Sequence, residues 1–399
     1  MGKGALVLIP VLLLSSEFVH ATTPVSVLYM GDAISVHYLT PYMFMNIEPL
    51  VDVTPVIASE VVARHSFGME GVEMMKRALR LYIPRSYGRL VDGQDVIILS
   101  DATLFAFDAR HVEWFSRSVV DDGLALMMAG GVESYQLGGW HATTVADVLP
   151  VDCLPDATGP GQAVIFNVSD ELLTSIPWGS LKAIPFGGSN MVAVRGWGIP
   201  LADFSVTAGG SNPMMVVGDI GLGRSFAFTP DWTFGWGESF SRWEYYGDFC
   251  NNLMLYLARR RVPQEMELVH RARRALLDLD VSRGLLISLL DFVDKFGANP
   301  RRLEEMIARI DELQSSAELV YMDQDFSRAV TLIEEALEAE REAEVEAIKV
   351  KEEALLWVYA IEWFTVSGTL LVAGLFLWSL MIRRCYFREV GSTRFPQES

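Results

Sequence analysis

Cysteine is scarce in this chain, with three residues in 399. That is too few for a disulfide framework, and the spacing of Cys153, Cys250 and Cys385 fits no CxxC-type zinc site. Positive charge is short as well: 32 Lys and Arg stand against 51 Asp and Glu, a formal net charge of −19. Such a chain repels phosphate backbones, which argues against nucleic acid as a partner. A dinucleotide fingerprint is missing, because Gly218, Gly221 and Gly223 have the wrong spacing and no helical pattern follows them. No motif calls for a cofactor. Apolar residues, by contrast, are plentiful. Hydrophobic residues make up 51% of the chain and aromatics 11%, enough to bury a substantial core and to exclude global disorder. At about 150 residues per domain the length suggests two or three folded units.

The two ends carry membrane signals. A single Lys3, an apolar run from Ala5 to Leu14 and the Val19-His20-Ala21 site are the three parts of a secretory signal peptide. The run falls short of the roughly 20 apolar residues that span a bilayer. An uncleaved signal anchor and a buried N-terminal segment are the other readings. Near the C-terminus no residue from Trp363 to Ile382 is charged, long enough for a helix that satisfies its own backbone in lipid. Trp357, Tyr359 and Trp363 sit where an interfacial aromatic belt would lie. Arg383, Arg384 and Arg388 follow, so the positive-inside rule puts the tail in the cytoplasm and everything upstream outside. The bland reading is a buried core helix. The two ends agree on a single-pass type I protein of the cell membrane, with the lipid bilayer as a partner through Trp363 to Ile382.

Between the ends, Val25 to Met30, Asp95 to Ser100 and Leu124 to Ala129 read as strands, the last two apolar on both faces. Helical spacing is predicted from Met69 to Leu81 and from Asp108 to Val120. Continuous apolar strands alternating with helices indicate a parallel sheet covered on both faces. After residue 150 strands are predicted over Gln162–Asn167, Met191–Val194, Leu201–Thr207, Pro213–Asp219 and Gly223–Phe228, the last two joined by a hairpin turn. Trp243 to Arg261 reads as a closing helix. From Pro263 helix formers dominate, with Asn299-Pro300 starting a new helix. Phe326, Val330, Ile333 and Leu337 recur at helical spacing before the stripe fades into Ala and Glu. If helical throughout, the run from Asp323 to Val350 reaches about 40 Å, a stalk whose nine Glu from Glu334 to Glu353 form a solvated face. The expected plan is a signal peptide at 1–21, an α/β domain at 22–262 and a helical stalk at 263–354. A membrane helix with its interfacial turn at 355–382 and a cytoplasmic tail at 383–399 complete it.

The segment from Val25 to Arg260 resembles the class I glutamine amidotransferase-like domain. The resemblance rests on residues 27–32, 95–101, 122–131 and 215–232, followed by the aromatic stretch from Trp243, in that order along the chain. It implies an α/β fold, a flavodoxin-like three-layer α/β/α sandwich, here followed by an α-helical stalk and a single transmembrane helix. Members that hydrolyse glutamine carry a Cys nucleophile on a tight turn of the form Gly-x-Cys-x-Gly, activated by a downstream His-x-Glu. The chemistry needs a thiolate at the C-terminal edge of the sheet. Here the strand ending at Ala129 runs into Gly130-Gly131-Val132-Glu133-Ser134, without Cys. His111-Val112-Glu113 precedes Cys153 and reads as a surface feature. Ser134 could in principle be a nucleophile, but no His is obviously placed to activate it, His141 being the nearest in sequence.

Open parallel sheets bind ligands at the C-terminal ends of their strands. Those ends carry Asp32, Asp101, Gly130, Gly131, Glu133, Asp231 and Trp232, the candidate ligand-binding residues. Each Asp is also a natural helix or turn cap, and several carboxylates on one edge suit a polar ligand or a hard cation. Asp231 to Gly237, with Trp243, Tyr245 and Tyr246, combines acids with aromatic faces that suit sugar rings or simply pack a loop. Asn167-Val168-Ser169 is a glycosylation sequon, and Cys153 and Cys250 would both be extracytoplasmic and free to pair. The expectation is a membrane-anchored, non-catalytic binding or assembly protein with protein partners through its stalk. The alternative is an extracytoplasmic receptor or hydrolase using the carboxylate edge on carbohydrate or another polar ligand.

Overall fold

The computed structural model describes residues 23–35, 38–166, 169–295 and 301–390. The signal segment, the sequon at Asn167 and the helix start at Asn299-Pro300 lie outside the described residues. The chain divides into two compact units. One holds the residues through Leu277 together with Ser316–Thr331, and the other holds Asp278–Ser315 with the residues from Leu332 onward.

The first unit is built on β1 (Val25–Gly31), β2 (Val51–Ile57), β3 (Val96–Ser100), β4 (Ala125–Ala129), β5 (Val151–Thr158), β6 (Gly161–Ile165) and β7 (Pro185–Phe186). It continues through β8 (Ser189–Val194), β9 (Ile199–Val206), β10 (Ser211–Ile220) and β11 (Gly223–Phe228). Its helices are α1 (Pro41–Met45), α2 (Glu60–Phe67), α3 (Gly71–Tyr82), α4 (Tyr87–Gly93), α5 (Ala109–Asp122), α6 (Thr144–Val148), α7 (Glu171–Thr174), α8 (Glu238–Ser241) and α9 (Tyr246–Leu257). Nine strands form one sheet in the order β2-β1-β3-β4-β11-β10-β9-β6-β7, while β5 and β8 pair separately. From β2 to β11 all neighbours are parallel; from β11 outward they are antiparallel.

Alternation along the strands sorts the core into two faces. Leu28, Met30, Ile97, Leu99, Leu126 and Met128 meet Met75 and Leu79 of α3, Leu90 of α4 and Phe115 and Val119 of α5. On the other face Phe228 packs against Phe249 of α9, and Tyr29 against Trp232. With both faces covered, β3 and β4 are buried along their whole length, which is why they read as unbroken apolar runs. Ser59 caps α2 by accepting from Val62 N, and α5 ends at Gly123 in the left-handed conformation. Asp108 precedes α5 as expected, but its side chain makes no capping bond.

Several expectations change. β2 and β5 were not predicted, because Asp52 with Pro55, and Pro155 with Asp152 and Asp156, interrupt any apolar pattern. Proline is tolerated there since β2 lies on the sheet's edge and β5 pairs only with β8. The helix expected from Trp243 begins at Tyr246, leaving Trp243 in the turn between α8 and α9. The strand expected to reach Asn167 ends at Ile165. Cys153 and Cys250 are both free thiols, Cys250 buried in α9.

α10 (Met266–Lys295), α11 (Arg301–Met322) and α12 (Phe326–Val390) complete the chain. In the second unit Leu279, Leu286, Leu303 and Ile310 pack on Ala336, Ala339, Ala343 and Ala347 of α12. The stripe that fades into Ala is therefore a seam of small residues, which lets helices approach closely. The Glu run is not wholly solvated: Glu340 is 1% exposed with both carboxylate oxygens unpartnered, and burial pushes its acid up to about 7. Further along, α12 is long and apolar enough to cross a membrane.

Leu126 lies at the centre of this sheet, between Ile97 and Ser225 in register. Leu126→Ala is expected to cost about 2–5 kcal/mol, whereas Leu222→Ala at the exposed hairpin tip should stay within about 0.5 kcal/mol. Urea unfolding of the two variants checks the sheet centre. Equal midpoints would contradict it.

Candidate functional site

The parallel strands deliver their carboxylates to one edge because each stops where the chain turns from sheet to loop. Asp32 follows β1, Asp101 follows β3, and Asp231 follows β11 after Thr229-Pro230. The structure brings these three together around a cavity of about 160 Å³ that also touches Gly131 and Thr233, with Val61, Val132, Phe234 and Trp236 as apolar walls. Tyr38 stacks on Phe234 at 4.7 Å between ring centroids.

The other predicted residues serve the frame. Glu133 turns away to α2, accepting from Ser59 Oγ at 2.6 Å and from the N–H groups of Glu60 at 3.3 Å and Val61 at 3.4 Å. A carboxylate at a helix N-terminus satisfies orphan donors and opposes the helix dipole. Burial raises the Glu133 acid, and these donors oppose the shift. Trp232 is wholly buried, donating from Nε1 to Ser100 Oγ at 2.7 Å while its carbonyl accepts from the Tyr246 hydroxyl at 2.6 Å. Trp243 and Tyr246 are buried too, so most of the aromatic cluster is core, and only Phe234 and Trp236 face the cavity.

Gly130 and Gly131 are fixed by close approach. A Cβ on Gly130 would lie 2.0 Å from the Thr229 carbonyl oxygen, and one on Gly131, at φ +148°, would lie 2.2 Å from Asp101 Oδ1. Asn190 clamps the turn, its Oδ1 accepting from Gly131 N at 2.8 Å and its Nδ2 donating to Gly131 O at 3.1 Å. Asn190 arrives from β8, some 60 residues away in the chain, so no local signal marks it.

Lone-pair accounting separates the three aspartates. Asp231 Oδ1 accepts from Thr233 N at 2.7 Å, and its Oδ2 accepts from Trp236 N at 3.0 Å. Asp32 Oδ1 accepts from the Tyr29 hydroxyl at 3.1 Å. Thr233 Oγ1 lies within bonding distance of both Asp32 Oδ2 and Asp231 Oδ1. A hydroxyl has one hydrogen, so it satisfies both carboxyls only if one of them is protonated and donates in return. Burial and the neighbouring Asp231 charge push the Asp32 acid up to about 7, and burial raises Asp231 as well, so the pair shares a proton more readily than two ordinary carboxylates. Asp101 is raised by burial and by the Asp231 and Asp32 charges. It is 7% exposed and has φ +42°, and its Oδ1 accepts from Glu133 N at 2.6 Å. Its Oδ2 carries no hydrogen bond among the described residues. No Lys or Arg pairs with any of the three among the described residues. Nor do three His, Cys, Asp or Glu side chains gather there in a group able to hold a metal.

Neither Ser134 nor a cysteine is activated at this edge among the described residues. Ser134 is buried with its hydroxyl donating to Ala129 O at 2.6 Å. Burial pushes the Cys153 thiol up to about 11 and raises that of Cys250 as well. His111, expected at the surface, is 8% exposed, because it lies on the inner side of α5 edge-on to Trp114. Burial lowers its basicity.

Residues 91–259 match the family model described as "Putative glutamine amidotransferase". No curated protein matches the chain. Among solved structures, a cytoplasmic protein from Salmonella typhimurium LT2 is 18% identical, with a TM-score of 0.44, covering 58% of this chain and 99% of its own. A second cytoplasmic protein from Salmonella typhimurium is 18% identical at a TM-score of 0.45, covering 58% and 98%. A β-galactosidase from Bacillus circulans is 12% identical at a TM-score of 0.33, covering 60% of this chain and 32% of that enzyme.

The raised Asp32 acid has a measurable consequence. A folded-state value above the unfolded one of about 3.9 means stability that is full below that value and is lost as pH rises through the folded value. Asp32→Asn removes this titration, so the variant should gain on the native chain as pH climbs from the ordinary carboxylate range toward neutrality. Each unit of upward shift corresponds to about 1.4 kcal/mol. Denaturant unfolding at pH 4, 5.5 and 7.5 reads the difference. A gap that does not change with pH would show that Asp32 titrates normally.

Proposed function

We propose that this chain, which carries a glutamine amidotransferase-like domain, is a membrane-anchored extracytoplasmic binding or assembly protein that does not hydrolyse glutamine. The carrying observation is the interlock of Gly130-Gly131 with Thr229 and Asp101, which fills the turn where amidotransferases display their Cys. The parallel strand order β2-β1-β3-β4-β11 supports a flavodoxin-like sandwich, which has the order 2-1-3-4-5. Exposed Leu370, Leu371, Phe376 and Trp378 on α12 support a single membrane span, and Arg383 and Arg384 support a cytoplasmic tail. The helices from Pro263 onward serve as the stalk and as the surface for protein partners. A second reading, a receptor for a polar ligand at the carboxylate edge, is favoured by Asp101, which has an oxygen free of hydrogen bonds among the described residues and lines the cavity together with Phe234 and Trp236.

Two measurements test this. Protease added to intact cells should digest the chain from Thr22 to about Leu355 and spare the tail; a protected large domain would overturn the orientation. The purified protein should release no ammonia from glutamine, and Cys153→Ala should change nothing. Turnover that disappears in Cys153→Ala would end the non-catalytic reading.

A further inference from the structure

The second unit buries an acid among alanines. Leu279 and Leu286 of α10 and Leu303 and Ile310 of α11 close on Ala336, Ala339, Ala343 and Ala347 of α12. Glu340 stands inside this run, 1% exposed, and neither of its carboxylate oxygens has a hydrogen-bond partner among the described residues. At 3.6 residues per turn it shares a helix face with Ala336, Ala343 and Ala347, the same face that forms the seam.

The charges that bear on this acid come from the helices around it. Glu344, one turn further along α12, opposes its ionisation, whereas Arg283 of α10 favours it. Arg283 is already engaged by α11, donating from Nη1 to Gln314 Oε1 at 3.2 Å, with Nη2 2.9 Å from Asp311 Oδ1. An ionised Glu340 would gain the guanidinium only at the expense of Asp311. A neutral acid stays in such a seam at the cost of unmade hydrogen bonds, but an unpaired buried carboxylate costs far more. The seam has little to set against that cost, because an alanine methyl buries little apolar area. Small residues also bring the helices close, so water reaches the carboxylate when the helices part.

We propose that Glu340 makes the three-helix seam of the second unit a proton-controlled latch, closed while this side chain is neutral and opening as it ionises. With the seam open the acid has its ordinary value of about 4.3. With the seam closed, burial and then Glu344 push it up to about 7. Closure is therefore fully supported below the open-state value and loses support as pH rises through the closed-state value. Above that point both states are ionised and the loss levels off. The seam tightens in mildly acidic surroundings and loosens in neutral to alkaline ones.

Hydrogen exchange on the full-length chain in lipid nanodiscs reads the latch, with rates corrected for their intrinsic dependence on pH. Protection of the amides in 279–290 and 332–350 is expected to fall at least about tenfold between pH 5 and pH 8. Glu340→Gln keeps the size and removes the titration, and should abolish the fall. Glu344→Gln removes the half-buried neighbouring charge and should move the fall to lower pH by about half a unit. If Glu340→Gln does not fold, the shift in Glu344→Gln decides. Constant protection in the native chain, an equal fall in folded Glu340→Gln, or an unmoved fall in Glu344→Gln would overturn the proposal.

Discussion

At the end of β4 two stretches of backbone approach so closely that no side chain fits between them. Gly130 lies against the Thr229 carbonyl, Gly131 against Asp101, and the Asn190 amide locks the peptide from both sides. Much of the edge follows from this contact. It tightens the turn after β4, and it lies beside Asp101, whose left-handed φ of +42° few residues other than Gly, Asn and Asp adopt readily. It also brings the chain past Asp101 so that the Glu133 amide donates to it and the Glu133 carboxylate reaches α2. The same residues that tighten this turn therefore assemble the acidic cavity.

That cavity gathers three acids with no cation beside them among the described residues, and the chain copes by other means. Asp231 is absorbed by backbone donors, as a turn cap would be. Asp32 has its acid pushed up by burial and by the Asp231 charge, and the Thr233 hydroxyl lies between the two. Only Asp101 keeps an unused oxygen. A divalent hard cation needs six or more oxygens, and two of the three aspartates have theirs already engaged. Asp101, with one oxygen free of hydrogen bonds among the described residues, shares its cavity with Phe234 and Trp236. The three acids that sequence groups together are thus three different things in space.

The frame was legible where burial is symmetric. β3 and β4 are covered on both faces, and unbroken apolar runs record that directly. β2 and β5 were not, because an edge strand or an isolated pair accepts proline and acids that a central strand refuses. The alanine seam of α12 escaped notice for a related reason: small residues pack by proximity, and a hydrophobicity pattern weighs them lightly. At the site, strand ends identified Asp32, Asp101 and Asp231, since every parallel strand must stop at that edge. Thr233 and Tyr29 were within reach of such reasoning, being two and three residues from an aspartate. Asn190 was not, because its contact spans 59 positions and depends on how β8 crosses the edge.

Charge is handled differently elsewhere in the first unit. At the carboxylate edge three acids meet with no cation beside them among the described residues, whereas Arg273 lies 2.6 Å from Glu48 and 3.0 Å from Asp248, which help to keep its guanidinium ionised. Asn252 and Tyr321 join the same cluster, so it draws α9, α10 and the end of α11 onto the segment after α1. Buried ion pairs seldom improve stability over apolar packing, but removing one partner leaves the others stranded. Such a cluster is therefore costly to break one residue at a time, and it ties together elements that lie far apart along the chain.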